Sequence, residues 1–301
     1  MNRGTLPSGR SITLGIIGYP VEHTLSPVMQ NAAFLASGLD CWYLPFSVRP
    51  DHVRDAVSGM RALGVKGFNV TLPHKVAVIP FLDRLDETAA EAGAVNTVLN
   101  INGVMTGYNT DGDGLLASLE DEFGFNCKKP GTIIIAGAGG AARGALAALC
   151  RAGASRVVIL NRTREKGEEL AAKFGNLYPA TDILPFEEGK ASARYIGDAS
   201  IFINTTTVGM KGDMIGSINL EELPKTALIY DMIYSPPVTP FLKKAASLGL
   251  KTANGLGMLV CQGEIAYRIW TGSSPPEGVM REAVSKALRV NNSLTCNFQS
   301  A

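Results

Sequence analysis

Four clusters of residues in this chain combine phosphate-binding, hydroxyl and acid–base chemistry at short spacing. The most explicit is Gly137-Ala138-Gly139-Gly140-Ala141-Ala142, which follows the apolar run Thr132–Ala136 and opens an Ala- and Leu-rich stretch. A strand, a G-x-G-x-x-A turn and a helix in that order cradle a pyrophosphate. Gly137 permits the tight turn, Gly139 lets the backbone approach the phosphates at the positive end of the helix, and Ala142 lets helix and strand pack closely. About 20 residues past such a turn, NAD enzymes usually carry Asp or Glu against the ribose hydroxyls. Here that place is taken by Asn161-Arg162-Thr163-Arg164-Glu165-Lys166. An amide, a hydroxyl and three cations suit a 2′-phosphate, whose oxygens match a guanidinium fork. The expected cofactor is NADP.

The other three clusters lie in the first half. In Gly18-Tyr19-Pro20-Val21-Glu22-His23-Thr24-Leu25-Ser26-Pro27, Ser26 is a natural N-cap with Pro27 at the first helical position. Hydroxyls at a helix N-terminus also receive a carboxylate, and Thr24 is not needed for the cap. Asn69-Val70-Thr71-Leu72-Pro73-His74-Lys75 reads as a strand end leading into a helix. There the dipole would disfavour Lys75 and loosen its proton, which suits acid–base work on a hydroxyl or ketone. Gly93-Ala94-Val95-Asn96-Thr97 and Gly107-Tyr108-Asn109-Thr110-Asp111-Gly112 form the last cluster, with Asn96 and Asp111 serving equally well as turn residues or as site residues. Asp111-Gly112-Asp113-Gly114 hints at a calcium loop, but Leu115 and the missing distal Glu break that pattern.

Alternating elements must position these groups. Strands are expected at Ile12–Ile17, Cys41–Ser47, Gly67–Thr71, Ile133–Ala136, Val157–Leu160, Ile201–Asn204 and Leu228–Asp231, with helical spacing between them, which reads as α/β with mostly parallel sheets. Lys128-Lys129-Pro130-Gly131 is a turn-rich break before the glycine turn, and Gly257–Trp270 and Pro276–Val290 read as two closing helices. The expected division is a substrate domain over 1–114, a cofactor domain over 115–253 and returning helices over 254–301.

Composition narrows the function classes. Lys+Arg 28 against Asp+Glu 27, with no long basic tract, points away from nucleic acid and from a polybasic membrane anchor. No apolar leader and no run of 18 apolar residues appears, so a cytoplasmic protein is expected. Five scattered cysteines fit a reducing compartment rather than a disulfide framework, and the three histidines lack metal-ligand spacing, so no metal is expected.

Taken together, His23–Pro27, Asn69–Lys75, Ala94–Thr97, Asn109–Gly112, the glycine turn, Asn161–Thr163, Tyr230–Tyr234 and Gly255–Gln262 resemble the shikimate dehydrogenase family from Ile12 to about Val290. The resemblance implies a Rossmann-type NADP domain beside an α/β substrate domain completed by the C-terminal helices, with a cleft that can close on its ligands. It implies reversible NADPH-dependent reduction of 3-dehydroshikimate to shikimate on the route to chorismate and the aromatic amino acids. By position, Lys75 and Asp111 would be the catalytic pair, and Thr24 and Ser26 would bind the carboxylate. Thr71, Asn96, Tyr234 and Gln262 would hold ring hydroxyls or the carboxylate. NADP would lie on Gly137, Ala138, Gly139, Gly140, Ala141, Asn161, Arg162, Thr163 and Lys166, with Met232, Gly255 and Glu87 toward its nicotinamide end. The partners implied are a small-molecule substrate and a second copy of the chain in a homodimer.

Two departures matter. Thr24 stands where many relatives have Ser, a position that helps separate shikimate from quinate users, and Lys166 stands where relatives often have Arg. A quinate/shikimate dehydrogenase with broader substrate or NAD use is therefore the neighbouring reading. A catalytically silent NADP-binding sensor is the alternative from another class, opposed by the intact Lys75 and Asp111. A folate-type dehydrogenase would have no use for the Thr24 and Ser26 hydroxyls. Met1–Arg10 and the residues after Asn291 match nothing and are expected to be disordered.

Overall fold

The computed structural model describes residues 6–187, 193–216 and 218–298. The chain folds as two compact units: residues 1–90, 94–110 and 263–301 form the first, and residues 91–93 and 111–262 the second.

The first unit is built on a six-stranded sheet of β1 (Ile12–Gly18), β2 (Cys41–Ser47), β3 (Gly67–Val70), β4 (Arg84–Leu85), β5 (Thr97–Ile101) and β6 (Val104–Tyr108), in the order β2-β1-β3-β5-β6-β4. Its first three strands are parallel, whereas β5 runs antiparallel to both β3 and β6. The expectation of mostly parallel sheets holds, since β4 also pairs with β6 in parallel and only the two pairings of β5 are antiparallel. Between β5 and β6 the chain reverses in a tight turn at Asn102-Gly103, with φ of 51° and 87°, the left-handed pair that a two-residue hairpin needs. Pro45 interrupts no ladder because β2 lies at the sheet edge. Helices α1 (Ser26–Ala36), α2 (Val53–Ala62) and α3 (Glu87–Ala92) accompany these strands, and Val57, Met60, Phe68, Val70, Val95, Val98 and Met105 share one buried core.

No helix starts at Lys75. Residues 72–78 form successive turns, and a short 3-10 segment follows at Ile79–Phe81. Pro80 has no amide to give the Val76 carbonyl, so the turns after Pro73 do not propagate into a regular helix. The dipole argument for Lys75 falls with it.

The second unit carries β7 (Thr132–Ala136), β8 (Arg156–Asn161), β9 (Asp182–Glu187), β10 (Ala199–Asn204), β11 (Leu228–Asp231) and β12 (Lys251–Asn254), all parallel, in the order β12-β11-β10-β7-β8-β9. Renumbered within the unit this is 3-2-1-4-5-6, the doubly wound dinucleotide-binding order. Its strands are apolar on both faces, as helix-covered parallel strands must be: Ile133, Ile134, Ile135, Val157, Val158, Ile201 and Phe202 are all buried. Helices α4 (Asp111–Phe123), α5 (Gly140–Arg151), α6 (Arg164–Leu177), α7 (Ala193–Gly197) and α8 (Pro240–Ser247) belong to it.

Helix α9 (Leu256–Thr271) gives its first half to the second unit and its remainder to the first, where α10 (Val279–Phe298) packs on α1. With no Gly or Pro between Val279 and Phe298, α10 runs past Asn291, where a disordered tail is expected. Of the other segment expected to be disordered, Leu6–Arg10 is described as loop and turn, while residues 1–5, like 299–301, lie outside the described residues.

Candidate active site

In the first unit the strand pairings gather motifs that are far apart in sequence. β1 and β3 run side by side, so Thr71 donates its amide to the Ile17 carbonyl, and a Cβ on Gly18 would strike Thr71 Cγ2. The segment carrying Thr24 and Ser26 thus leaves the sheet beside the segment carrying Thr71 and Lys75. The hairpin does the same for the other pair. Thr97 pairs with Tyr108, which brings Asn96 against Thr110. Asn96 is buried; its Nδ2 donates to Thr110 Oγ1 (2.9 Å) and its Oδ1 accepts from Thr110 N (2.8 Å). Asn69, opposite Thr97 across the β3–β5 ladder, donates to the Asn96 carbonyl (3.0 Å) and to Thr97 Oγ1 (2.9 Å). Lys75 is half-buried, and its carbonyl accepts from Val95 N at 2.7 Å. Asn96 is as much a structural clamp as a ligand group, since both ends of its amide already hold the hairpin.

Ser26 makes no capping bond. Helix α1 has Leu25 as its N-cap residue, without a side-chain cap, because Ser26 already has helical geometry. Its Oγ accepts instead from Thr24 Oγ1 at 3.2 Å. The cap reading is corrected: it is Thr24 Oγ1 that accepts from the first amide of α1, Ser26 N, at 3.3 Å, while Ser26 Oγ bonds no helix amide. Glu87 is exposed at the start of α3, in the first unit.

In the second unit the groups expected to bind the cofactor collect where the parallel strands end. Gly137 has φ +112°, and a Cβ there would meet Thr205 Oγ1 at 2.6 Å, so only glycine fits. Ala138 and Gly140 are half-buried, as is Ala141 in the first turn of α5, while Ala142 is buried against the sheet. A Cβ on Gly139 would meet nothing within 4 Å, and Gly139 is the N-cap of the twelve-residue α5. Open space over a helix N-terminus fits a pyrophosphate. At the tip of β8, Asn161 turns its amide back onto the Thr163 carbonyl (2.7 Å), and Thr163 stands at the N-cap of α6 without a capping bond. Arg164 pairs with Glu168 at 2.7 Å, which removes one of the three expected cations. Arg162 and Lys166 are exposed, with no carboxylate partner among the described residues.

Past β11 and β12, Met232 donates its amide to the Asn204 carbonyl, and a Cβ on Gly255 would strike the Met232 carbonyl oxygen. Only glycine can stand there. Tyr234 is half-buried, and Gln262 on α9 donates to the Leu259 carbonyl (2.7 Å). Asp111 is buried as the first residue of α4 rather than in a turn, a place the helix dipole favours for a carboxylate. Gly112 and Gly114 are packing residues: a Cβ on Gly112 would strike the Gly144 carbonyl oxygen and one on Gly114 would strike Gln262.

Sequence reading passed over two groups. Thr205 donates to the Ala136 carbonyl at 2.7 Å, holding the end of β10 against the glycine turn; the polar run Asn204-Thr205-Thr206-Thr207 after an apolar strand was the signal. Asp231 is fully buried, accepting from Asn204 Nδ2 (2.9 Å), Ile233 N (3.1 Å) and Thr239 Oγ1 (2.7 Å). Desolvation holds its carboxyl above its ordinary value, against the pull of those donors. Among the described residues no group of three His, Cys, Asp or Glu could hold a metal ion, and no helix is long and apolar enough to cross a membrane.

Three family models match the chain: the shikimate dehydrogenase substrate binding domain at residues 16–98, shikimate / quinate 5-dehydrogenase at 120–235 and the shikimate 5'-dehydrogenase C-terminal domain at 255–284. A shikimate dehydrogenase (NADP(+)) from Geobacter sp. (strain M21) is 48% identical over 283 residues, 93% of this chain and 97% of the relative. Among solved structures, a shikimate dehydrogenase in complex with NADP+ superposes with a TM-score of 0.86 at 38% identity, covering 95% of this chain and 99% of the other. The Listeria monocytogenes shikimate 5-dehydrogenase, in complex with shikimate and NAD, gives 0.84 at 34%, covering 92% and 97%.

Proposed function

The chain belongs to the shikimate dehydrogenase family, and on that premise we propose that it catalyses the reversible NADPH-dependent reduction of 3-dehydroshikimate to shikimate. The observation that carries the reading is the near-full-length likeness to relatives named for shikimate and NADP(+). The local chemistry agrees with it. The hydroxyl pair Thr24 and Ser26 suits a carboxylate, and Arg162 and Lys166 suit a 2′-phosphate.

The residues of the glycine turn, Gly137 to Ala141, hold the cofactor's pyrophosphate against the N-terminus of α5. Asn161, Arg162, Thr163 and Lys166 hold its 2′-phosphate. Met232 and Gly255 line the nicotinamide end, with Glu87 the weakest assignment there. Bound NADPH supplies the hydride that adds to the substrate carbonyl carbon. Lys75 delivers a proton to the carbonyl oxygen, and Asp111 accepts a hydrogen bond from the hydroxyl so formed and from the lysine. Thr71, Asn96, Tyr234 and Gln262 orient the ring. The working partner is a small molecule, without nucleic acid, in a cytoplasmic homodimer; sedimentation of the purified protein tests the dimer.

The experiment is an initial-rate assay at the nicotinamide absorbance band, crossing shikimate and quinate with NADP and NAD. Turnover fastest with shikimate and NADP supports the proposal. Turnover of quinate with NAD at matching efficiency replaces it with the broader dehydrogenase, and a folded protein that binds NADP but turns over neither substrate overturns it.

A further inference from the structure

Lys75 stands in neither helix nor strand, so its place depends on the bonds that tie down the turns around it. Main-chain bonds hold both ends of Thr71–Lys75. At the start, Thr71 N donates to the Ile17 carbonyl (2.9 Å) and the Leu72 carbonyl accepts from Tyr19 N (3.0 Å); at the end, the Lys75 carbonyl accepts from Val95 N (2.7 Å). Between them a side chain adds a further tether. His74 is 1% exposed, and its Nε2 lies 2.7 Å from the Val48 carbonyl oxygen. Val48 follows the last residue of β2 and is itself fixed, its amide donating to the Gly18 carbonyl at 2.9 Å. The imidazole thus bridges from the turns that carry Lys75 to the ends of β1 and β2.

The two ring nitrogens are used unequally. A carbonyl oxygen only accepts, so Nε2 carries the hydrogen. Nδ1 is buried as well and meets no hydrogen-bond partner among the described residues. A buried acceptor left unpaired costs stability, and an apolar side chain of similar size would fill the space without it. Packing alone therefore gives no reason for an imidazole here, whereas the bond to Val48 does. His74 is also placed to pass that bond on. Its own amide donates to the Thr71 carbonyl and its carbonyl accepts from Val78 N, both at 2.9 Å, so the turns on either side of Lys75 close on this one residue.

We propose that His74 is a positioning residue for Lys75: the bond from its Nε2 hydrogen to the Val48 carbonyl braces the turns between Thr71 and Val78 against the end of β2, and so holds the lysine where it serves the substrate carbonyl. The inference rests on the reading of Lys75 as the proton donor. His74, buried within the first unit, acts only through the backbone it fixes.

The test is steady-state kinetics with shikimate and NADP on His74→Leu, His74→Asn and His74→Gln. Fluorescence titration with NADP counts the folded sites, so that kcat per site is not lowered by unfolded protein. Counted in bonds from Cβ, the glutamine amide nitrogen falls at the place of Nε2 and the asparagine amide nitrogen at that of Nδ1, so only glutamine keeps a donor for Val48. His74→Leu and His74→Asn should lower kcat about ten- to hundredfold, the consequence of a misplaced catalytic group, while the KM for NADP moves far less. His74→Gln should recover most of that loss. In the Lys75→Ala background His74→Leu should lower the remaining rate no further, because the group it acts through is gone. Should His74→Leu not fold, the contrast between glutamine and asparagine decides, and nitrogen-15 NMR of the wild-type imidazole should show the hydrogen on Nε2, protected from exchange. An unchanged kcat in His74→Leu, equal kcat in the glutamine and asparagine variants, a further loss on top of Lys75→Ala, or a hydrogen on Nδ1 in place of Nε2 overturns the assignment. A wild-type enzyme inactive on shikimate, or indifferent to Lys75→Ala, overturns the functional reading and this one with it; an active enzyme that needs Lys75 but not His74 overturns only the role of His74.

Discussion

At the scale of single residues, the chemistry divides into groups that act on substrate and groups that select the cofactor, and each division makes a separable prediction. Lys75→Ala removes the proposed proton donor but no cofactor contact. It should lower kcat by about 10²- to 10⁴-fold, the usual worth of a placed acid or base, with NADP affinity by fluorescence titration unchanged; a loss of NADP binding would move Lys75 out of the acid–base role. Arg162 and Lys166 make the complementary case. Each cation is exposed, with no carboxylate partner among the described residues, so removing it forfeits a charge-assisted bond to the cofactor. Arg162→Ala should reduce the NADP-over-NAD ratio of kcat/KM by about tenfold or more, and Lys166→Ala by less, since ammonium lacks the bidentate fork. Equal NADP and NAD kinetics already in the wild type would refute the selection. Arg164→Ala serves as the contrast, because its guanidinium is held by Glu168; the ratio should barely change.

At the scale of elements, the hairpin of β5 and β6 decides whether the first unit's polar groups meet at all. Gly103 has φ +87° with open space around it, so Gly103→Ala meets no clash, only backbone strain of about 1 kcal/mol. Urea denaturation should report that loss with an unchanged slope, and a variant as stable as the wild type would mean the turn does not hold the register. This hairpin also shows where sequence reading runs out. The parallel strands were legible because runs such as Ile133–Ala136 or Leu228–Tyr230 are unbroken by charge. β5 and β6 were not, since Asn100 interrupts β5 and the flanking Asn96, Asn109 and Thr110 are polar too, yet all four are buried, Asn96 bonded to Thr110 and Asn100 and Asn109 to the carbonyls of Val65 and Ala94. Asn102-Gly103 was the missed signal. Likewise the motif Asn69–Lys75 was recognisable by composition, but the element under Lys75 was misread as a helix because two prolines were weighed less than the residue pattern. Spacing alone could locate the hydroxyls of Thr24 and Ser26.

At the scale of the whole molecule, the two units answer pH in opposite senses at two carboxylates. In the first unit the hydrogen bond from Arg61 at 2.7 Å, joined by one from Met105 N, holds Asp83 below its ordinary 3.8. Folding therefore keeps Asp83 ionised where the unfolded chain has taken up a proton. Its contribution is present above pH 3.8 and is lost as the pH falls through the lower folded value. In the second unit Asp231 is held above 3.8, first by desolvation and with no cation among its bonded partners. The folded chain then keeps a proton that the unfolded chain releases, and stability falls as the pH rises from 3.8 toward the folded value. Comparing each variant with the wild type isolates these terms from all other titrations. The stability difference between wild type and Asp83→Asn should widen in favour of the wild type as the pH is raised through the acid range. For Asp231→Asn it should narrow or reverse over the window above 3.8, because the amide keeps an acceptor for Asn204 and Ile233 without the buried charge. Denaturation curves at closely spaced pH values read both slopes. Two slopes of the same sign would mean that Asp231 is ionised in the folded chain at no cost, which its fully buried setting does not allow. That charge would then need a compensating cation at the ends of β10 and β11, and the polar donors Asn204 and Thr239 would not be what anchors the Met232–Tyr234 segment proposed to face the cofactor.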